Sequence, residues 1–185
     1  GVTFWKNQGD GTFREATEVA GLQDRRFSTS AAWGDLNNDG ALDLYVAHYV
    51  DWSWENHPAC LGANQVPDVC PPRQFSGLDD RLYLSNQDGT YRDASSDWGL
   101  VKQGKGLGVA IGDLDGDGDV DVYVGNDTTE NFLYINQGDR LVERGFELGV
   151  ALDDRAVANG SMGVDFGDSN GDGRPDIWVA NYEQE

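Results

Sequence analysis

The chain has 185 residues, and 33 Asp plus Glu against 13 Lys plus Arg give it a formal net charge of −20 at pH 7. Such an acidic chain is a poor nucleic-acid binder, because contacts with phosphates depend on basic residues. An aromatic fraction of 11% argues against disorder, and no apolar run in the sequence is long enough to span a bilayer. We therefore expect one folded domain with a sizeable core.

The first predicted element is a β-hairpin. Residues 1–22 predict a strand, a tight turn signalled by an Asp-Gly dipeptide, and a second strand. The ten-residue hairpin unit at 4–13 recurs without gaps at 82–91. We expect a third copy at 133–142, in which Arg140 replaces the turn glycine.

Three nine-residue acidic loops alternate with these hairpins, at 35–43, 113–121 and 168–176. Each carries Asp or Asn at positions 1, 3, 5 and 9 and Gly at position 6. So many carboxylates repel one another unless a cation is present, and Ca²⁺ takes about six to eight oxygen ligands. The glycine permits the sharp turn that lets the loop wrap an ion. A solvated acidic turn would explain one such loop, but three with the same pattern favour metal binding.

We expect three calcium ions, one in each loop, held by the side chains at positions 1, 3, 5 and 9 and by the backbone carbonyl at position 7. Magnesium is less suited, because it prefers a tight octahedron and keeps its waters. The loops differ from an EF-hand, since the last carboxylate is at position 9 and the following residues alternate as in a strand. The predicted ligands are Asp35, Asn37, Asp39, Ala41 and Asp43; Asp113, Asp115, Asp117, Asp119 and Asp121; and Asp168, Asn170, Asp172, Arg174 and Asp176.

Hairpin and acidic loop repeat together. The first two hairpins, which begin at Phe4 and Leu82, are as far apart in the sequence as the first two acidic loops, which begin at Asp35 and Asp113. In each unit a first strand enters the acidic loop, a second leaves it, and the hairpin supplies the third and fourth. The predicted first strands are 30–33, 107–111 and 161–166, and the predicted second strands are 42–49, 120–125 and 175–181. These units predict an all-β fold, a β-propeller of four-stranded blades with about three blades' worth of strands.

We assign the whole chain, 1–185, to part of one propeller domain. It divides into the outer half of a blade (1–22), a blade (23–100), a second blade (101–150) and the inner half of another (151–185). A propeller closes with about four to eight blades. We therefore expect the remaining blades to come from the rest of a longer chain or from another copy.

An insertion at 50–77 interrupts the first complete blade. It lacks strand periodicity and carries all but one of the prolines, so we expect a surface loop that is either functional or decorative. Cys60 and Cys70 lie in its middle. We expect a disulfide, which staples a loop in an oxidising compartment. A zinc site with His57 is the weaker alternative, because the spacing is not the short Cys pair of zinc sites.

Few residues outside the loops predict chemistry. Asp51, Glu55 and His57, near Trp52 and Trp54, form the one carboxylate–imidazole cluster that could serve an enzyme. His48 lies in a predicted strand, where we expect it to pack in the core. The glycine-rich stretch at 104–112 favours close packing of inner strands over a phosphate-binding loop, because no Walker spacing accompanies it.

Several of these motifs together resemble the FG-GAP/VCBS repeat superfamily, and most closely its cartilage acidic protein-like group, whose members often carry an ASPIC/UnbV domain. The motifs are the hairpin at 4–13, the loop–strand units at 34–46 and 112–124, the segment 126–134, and the cysteine insertion with the segment that follows it, 60–83. The resemblance implies a calcium-binding β-propeller like the integrin α headpiece, exported from the cell and usually non-enzymatic. Integrin-like ligand binding does not carry over, because no residue here identifies a ligand site.

The expected function is therefore that of a secreted or periplasmic, calcium-stabilised module that interacts with a protein or a glycan. One alternative is a propeller enzyme that acts on polysaccharide or phospholipid. A second is a structural subunit of a cell-surface assembly.

Overall fold

A computed structural model describes residues 1–182 of the chain. Within them, twelve strands form four antiparallel sheets, and the only helical elements are two short 3₁₀ turns, Ala63–Gln65 and Pro72–Gln74. The strands are β1 (Trp5–Asn7), β2 (Phe13–Glu15), β3 (Ser28–Gly34), β4 (Asp43–His48), β5 (Arg81–Ser85), β6 (Tyr91–Asp93), β7 (Gly106–Gly112), β8 (Asp121–Asn126), β9 (Phe132–Asn136), β10 (Leu141–Glu143), β11 (Ser161–Gly167) and β12 (Asp176–Asn181). Residues 1–182 include no helix with the length and hydrophobicity of a transmembrane span.

The sheets follow the chain order. Two are four-stranded, β3-β4-β5-β6 and β7-β8-β9-β10, while β1 pairs with β2 and β11 pairs with β12. Four-stranded antiparallel units repeated along a chain are the blades of a β-propeller. The predicted all-β fold, a partial propeller of four-stranded blades, is confirmed.

The core lies between consecutive sheets. Every residue of β4 and β8 is buried, because each strand lies in the interior of its sheet and both of its faces are covered. Tyr45 packs with Val122 of the next sheet, whereas Leu44 and Val46 pack with Leu22 of the preceding unit. Side chains alternate across a strand, so a strand covered on both faces is apolar at successive positions. The sheets are thus stacked face to face as blades.

The first strands of consecutive units lie side by side, β3 beside β7 and β7 beside β11. The Thr29 hydroxyl donates a 2.7 Å hydrogen bond to the Gly106 carbonyl across this contact. A Cβ atom added to Gly108 would lie 2.4 Å from the Met162 carbonyl oxygen, so a larger residue does not fit there. The prediction that these glycines serve close packing is confirmed.

The second strand of each unit begins one residue later than predicted, at the ninth residue of the acidic loop. Leu42, Val120 and Pro175 therefore belong to the loops. The first strands are longer than predicted and reach the glycine before each loop. These ends depend on hydrogen bonds from loop to strand, which residue patterns do not report.

The third hairpin is shorter than the sequence alignment predicted. Asn136 pairs with Leu141 across its turn, whereas Ser85 pairs with Tyr91, so the third turn has one residue fewer. The Arg140 carbonyl accepts the backbone hydrogen bond that closes the turn. Arg140 therefore does not replace a turn glycine, and the gapless alignment was wrong. A deletion within a polar turn leaves the flanking strand pattern unchanged, which conceals it in the sequence.

The insertion leaves the sheet between β4 and β5. Val50 and Gly77 form an isolated β-bridge at its base. Cys60 and Cys70 form a disulfide with a Cα–Cα distance of 5.3 Å. The predicted disulfide is confirmed, and the zinc alternative is excluded because both sulfurs are bonded to each other.

Candidate metal centres

Each acidic loop joins the first strand of a unit to the second. The loop at 35–43 connects β3 to β4, the loop at 113–121 connects β7 to β8, and the loop at 168–176 connects β11 to β12. Below they are the first, second and third acidic loops.

The first residue of each loop organises the turn. Both Asp113 carboxylate oxygens accept backbone N–H groups, from Gly116 at 2.7 Å and from Gly118 at 3.1 Å. Asp35 accepts N–H groups from positions 5 and 6 of its own loop, and Asp168 accepts them from positions 4, 5 and 6. The glycine at position 6 takes φ values of 86°, 97° and 83° in the three loops, a conformation that costs a residue with a Cβ atom more than it costs glycine.

Three carboxylates of the second loop converge. One oxygen from each of Asp113, Asp115 and Asp117 lies within 4.8 Å of the others. One Asp115 oxygen accepts the Asp117 N–H, and one Asp117 oxygen accepts the N–H of Asp119. The other oxygen of Asp115 and of Asp117 accepts no hydrogen bond from the described residues. Such a cluster of hard oxygen donors fits the ligand preference of Ca²⁺.

The first and third loops carry an amide where the second has a third carboxylate. Asn37 accepts the Asp39 N–H through Oδ1 at 3.1 Å and donates from Nδ2 to the Asp39 carboxylate at 3.0 Å. Asn170 makes the same pair of contacts with Asp172. A neutral donor therefore partly satisfies the position-5 carboxylate in these two loops. In the second loop Asp115 offers no such donor, so the repulsion between carboxylates is greatest there.

The carboxylate at position 9 of the first loop accepts hydrogen bonds from its own loop and from the third strand of the blade. Asp43 is fully buried and accepts the N–H groups of Leu36 (3.0 Å) and Ser85 (2.8 Å). Burial raises the pKa of the Asp43 carboxyl, the two hydrogen bonds oppose this, and the charges of Asp39 and Asp35 add to the rise. The position-9 residue therefore joins the acidic loop to the third strand.

The position-9 carboxylates of the other two loops differ in burial. Asp121 is also buried and accepts the N–H groups of Leu114 and Asn136, and burial likewise raises its pKa. Asp176 is exposed, and no third strand lies beside β12 among residues 1–182. Hydrogen bonds from the Ser169 hydroxyl and N–H lower the pKa of Asp176. The opposite shifts follow from whether a hairpin covers the carboxylate.

The residues at position 7 were predicted as carbonyl ligands. Their N–H groups donate to the position-5 carboxylate in each loop, which orders the backbone at Ala41, Asp119 and Arg174. The Asp119 side chain also accepts a 2.6 Å hydrogen bond from the amide of Asn38, in the first loop. Acidic loops of neighbouring blades are therefore in direct contact.

A buried polar network that the residue patterns did not predict lies at the end of β4. Asp80 accepts the His48 N–H at 2.7 Å and the Tyr45 hydroxyl at 2.8 Å. Burial raises the pKa of Asp80 to about 7. Burial also lowers the pKa of His48 to about 4, although the Asp24 carboxylate, 3.2 Å from Nε2, favours its protonation. The expected packing role of His48 agrees with its complete burial. The Asp79-Asp80 dipeptide was visible in the sequence, but nothing in it indicated burial.

The side chains of the predicted carboxylate–imidazole cluster are not hydrogen-bonded to one another in the described residues. His57 accepts through Nδ1 a 2.8 Å hydrogen bond from the Trp52 indole N–H. The backbone carbonyl of Asp51 accepts a bond from Asn56. Across residues 1–182, no hydrogen bond or ion pair joins the carboxylates of Asp51 or Glu55 to the imidazole.

Comparison with known proteins supports the repeat architecture. The FG-GAP-like repeat family matches residues 1–46, 74–124 and 113–179. Cartilage acidic protein 1 of Xenopus tropicalis is 27% identical over 182 residues, which are 97% of this chain and 25% of that protein. The Homo sapiens protein of that name is 26% identical over 181 residues, 97% of this chain and 24% of that protein. The chain spans about a quarter of the length of these relatives. Because the matched residues include the acidic loops and extend over most of the chain, it belongs to the FG-GAP-like repeat family.

Proposed function

We propose that this chain is a secreted or periplasmic, calcium-stabilised β-propeller module that binds a protein or a glycan and catalyses no reaction. The observation that carries the metal part is the convergence of Asp113, Asp115 and Asp117 within 4.8 Å. Three carboxylates this close repel one another, and a divalent cation between them would convert that repulsion into attraction.

Calcium suits the loops better than other common ions. The donors at positions 1, 3, 5 and 9 are all carboxylate or amide oxygens, whereas zinc favours nitrogen and sulfur. Calcium also tolerates the irregular geometry of a short flexible loop better than magnesium does. We propose one ion in each loop, held by the fifteen residues given above, with the position-9 carboxylates of the first two loops shared between the ion and the backbone N–H groups.

Two properties support an exported module. The Cys60–Cys70 disulfide is a bond that persists in oxidising compartments. A high negative charge keeps a protein soluble, and bound calcium would offset part of the repulsion that opposes folding. The similarity to cartilage acidic protein 1 is compatible with this role but identifies no partner.

An enzyme receives less support. Catalysis would require a base or nucleophile within hydrogen-bonding reach of a second functional group. In the described residues, His57 is held by Trp52 and not by a carboxylate. We therefore propose binding and structural roles in preference to hydrolysis of a polysaccharide or phospholipid.

The test is a calcium titration of chelator-treated protein by calorimetry, with elemental analysis of the untreated protein. We expect three sites and only weak competition by magnesium. Calcium that binds only the folded state would stabilise it by about 2.7 kcal/mol per site at a hundredfold excess over the dissociation constant. Asp113→Ala should remove one site, while Asp154→Ala, at a side chain that is 97% exposed and outside the loops, should remove none. A protein that contains no metal, takes up none and melts identically in chelator would contradict the proposal.

The interaction role needs a separate measurement, because calcium binding alone would not establish it. Immobilised calcium-loaded protein would be screened against a glycan array and against purified extracellular matrix proteins. We expect a saturable ligand whose binding is weakened when the loops are emptied. Hydrolysis of an arrayed glycan, abolished by Asp51→Ala, would instead support the enzyme.

A further inference from the structure

We propose that an aromatic-lined cavity at the base of the insertion binds a methylated ammonium group, of the kind found in choline. The cavity measures about 250 Å³. None of its lining residues belongs to an acidic loop, so this site is additional to the proposed calcium sites.

The cavity brings together residues that are distant in the sequence. Phe27 precedes β3, Tyr49 follows β4, and Trp52, His57 and Phe75 belong to the insertion or its base. Five of its nine lining residues thus carry an aromatic ring, and the others are Val50, Val69, Cys70 and Pro72. No Asp, Glu, Lys or Arg lines it. The result is an apolar site lined largely by aromatic residues.

Specific contacts hold these rings in place. The Trp52 indole N–H donates to His57 Nδ1 at 2.8 Å, which fixes both side chains. Phe27 and Tyr49 meet edge to face, with ring centroids 5.5 Å apart and planes 87° apart. The Tyr49 hydroxyl also donates a hydrogen bond to the carboxylate of Asp127. A site whose rings are already ordered loses little conformational entropy when a ligand enters.

The chemistry of the lining selects the class of ligand. A sugar would need several hydrogen-bonding partners for its hydroxyls, whereas the Trp52 indole N–H, the Tyr49 hydroxyl proton and His57 Nδ1 are already engaged. The volume lies just below the about 300–1,000 Å³ typical of drug-sized sites, which favours a small group. An anion is disfavoured by the net charge of −20.

A methylated ammonium ion satisfies all of these conditions. It presents an apolar surface that needs no hydrogen bonds, and its charge is attracted by the faces of aromatic rings. The negative field of the protein adds to that attraction. The ammonium group of Lys105 lies near the cavity, because its Nζ donates at 3.1 Å to the Pro72 carbonyl. The group is held at that main-chain oxygen, and Lys105 is not among the lining residues.

The experiment compares choline with 3,3-dimethylbutan-1-ol, a neutral molecule of the same shape, by proton NMR titration of the purified protein in calcium. We expect choline to bind at least about fivefold more tightly than the neutral molecule, because only choline gains the ring–cation attraction. Equal affinity of the two molecules would overturn the proposal and indicate an ordinary apolar pocket. Absence of choline binding up to millimolar concentrations would also overturn it.

Two variants locate the site. Trp52→Leu should weaken choline binding at least about fivefold, while Trp178→Leu, at an exposed tryptophan on β12, should leave it within twofold. If Trp52→Leu disturbs the insertion, as judged by its melting curve, Phe75→Leu removes a different ring at a smaller change of volume. Choline binding that survives both ring removals would place the ligand elsewhere and refute the assignment.

Discussion

The side-chain amide of Asn136 donates a 2.8 Å hydrogen bond to the backbone carbonyl of Leu36, in the first acidic loop. The same nitrogen lies 3.1 Å from the carbonyl of Val120, at the end of the second acidic loop. Asn136 is 2% exposed, so water cannot replace these bonds. One buried amide therefore links the acidic loops of two consecutive blades.

Replacing this amide should destabilise the contact between blades. Asn136→Ala leaves the buried Leu36 carbonyl without this partner, and we expect the free energy of unfolding to fall by about 1–3 kcal/mol. Urea denaturation in calcium would measure it. Asn136 also accepts the turn N–H of Gly138 through Oδ1 at 2.9 Å. Asn7→Ala is the matched control for that bond, because Asn7 accepts the N–H of Gly9 in the same way but is exposed. A loss at Asn7 as large as that at Asn136 would show that only the turn bond matters.

The second acidic loop should respond to an amide in the way that the other two loops suggest. Asp115→Asn introduces the donor that Asn37 supplies to Asp39 in the first loop. We expect the metal-free protein to melt at a higher temperature, because one carboxylate repulsion is replaced by a hydrogen bond. Calcium affinity should fall, since a charged ligand is lost.

Thermal melts in chelator and in calcium would measure both effects. Asp154→Asn, at a side chain that is 97% exposed, should change neither melt appreciably. A lower melting temperature for metal-free Asp115→Asn would contradict our account of repulsion in the second loop.

Asp80 should make stability depend on pH near neutrality. Its pKa is about 7 in the folded protein against an ordinary value of 3.8. The folded state therefore binds a proton that the unfolded chain releases, and this stabilisation is complete below about pH 4 and is lost as the pH rises through 7.

His48, with a folded pKa of about 4, contributes in the opposite sense. Its stabilisation is present above its ordinary pKa of 6.5 and is lost as the pH falls through 4.

The variant Asp80→Asn separates these two groups. The second blade already uses this chemistry, because Asn131 accepts the N–H of Asn126 as Asp80 accepts that of His48. Only the parent loses the Asp80 proton between pH 5 and pH 8. The free energy of unfolding of the variant, relative to that of the parent, should therefore rise by about 1–3 kcal/mol from pH 5 to pH 8. Urea denaturation at both pH values measures the difference. A stability difference that is the same at pH 5 and pH 8 would show that Asp80 does not titrate in this window.

The disulfide should protect the insertion and not the blades. Closing a loop of this length lowers the conformational entropy of the unfolded chain, which stabilises the folded loop by about 2–3 kcal/mol. Reduction, or the double variant Cys60→Ser with Cys70→Ser, should therefore let a protease cut first within residues 61–69, where Val69 is 85% exposed. Mass spectrometry of early fragments would identify the cuts. Cleavage within the strands β3, β4, β5 or β6 before cleavage within residues 61–69 would contradict this order.

Much of the architecture could be predicted because it rests on local rules. The acidic loops were identified from oxygen side chains at alternate positions and one glycine, and the hairpins from strand alternation around a turn. The pairing of Cys60 with Cys70 required only that the chain contains two cysteines within one loop. Each of these features depends on residues within about a dozen positions of one another, and such features leave a pattern in the sequence.

The sequence by itself determined the repeat, the strand identities and the residue types in each acidic loop. Only the tertiary structure decided that Asp43 is buried beneath a hairpin while Asp176 is exposed, that Asn136 reaches the loop of the preceding blade, and that Phe27, Tyr49 and Trp52 line one cavity. The shortened third turn was settled the same way, by strand pairing. Burial, pKa shifts and contacts between blades arise when segments far apart in the chain pack together, and that packing depends on the whole arrangement of sheets, which no local pattern encodes.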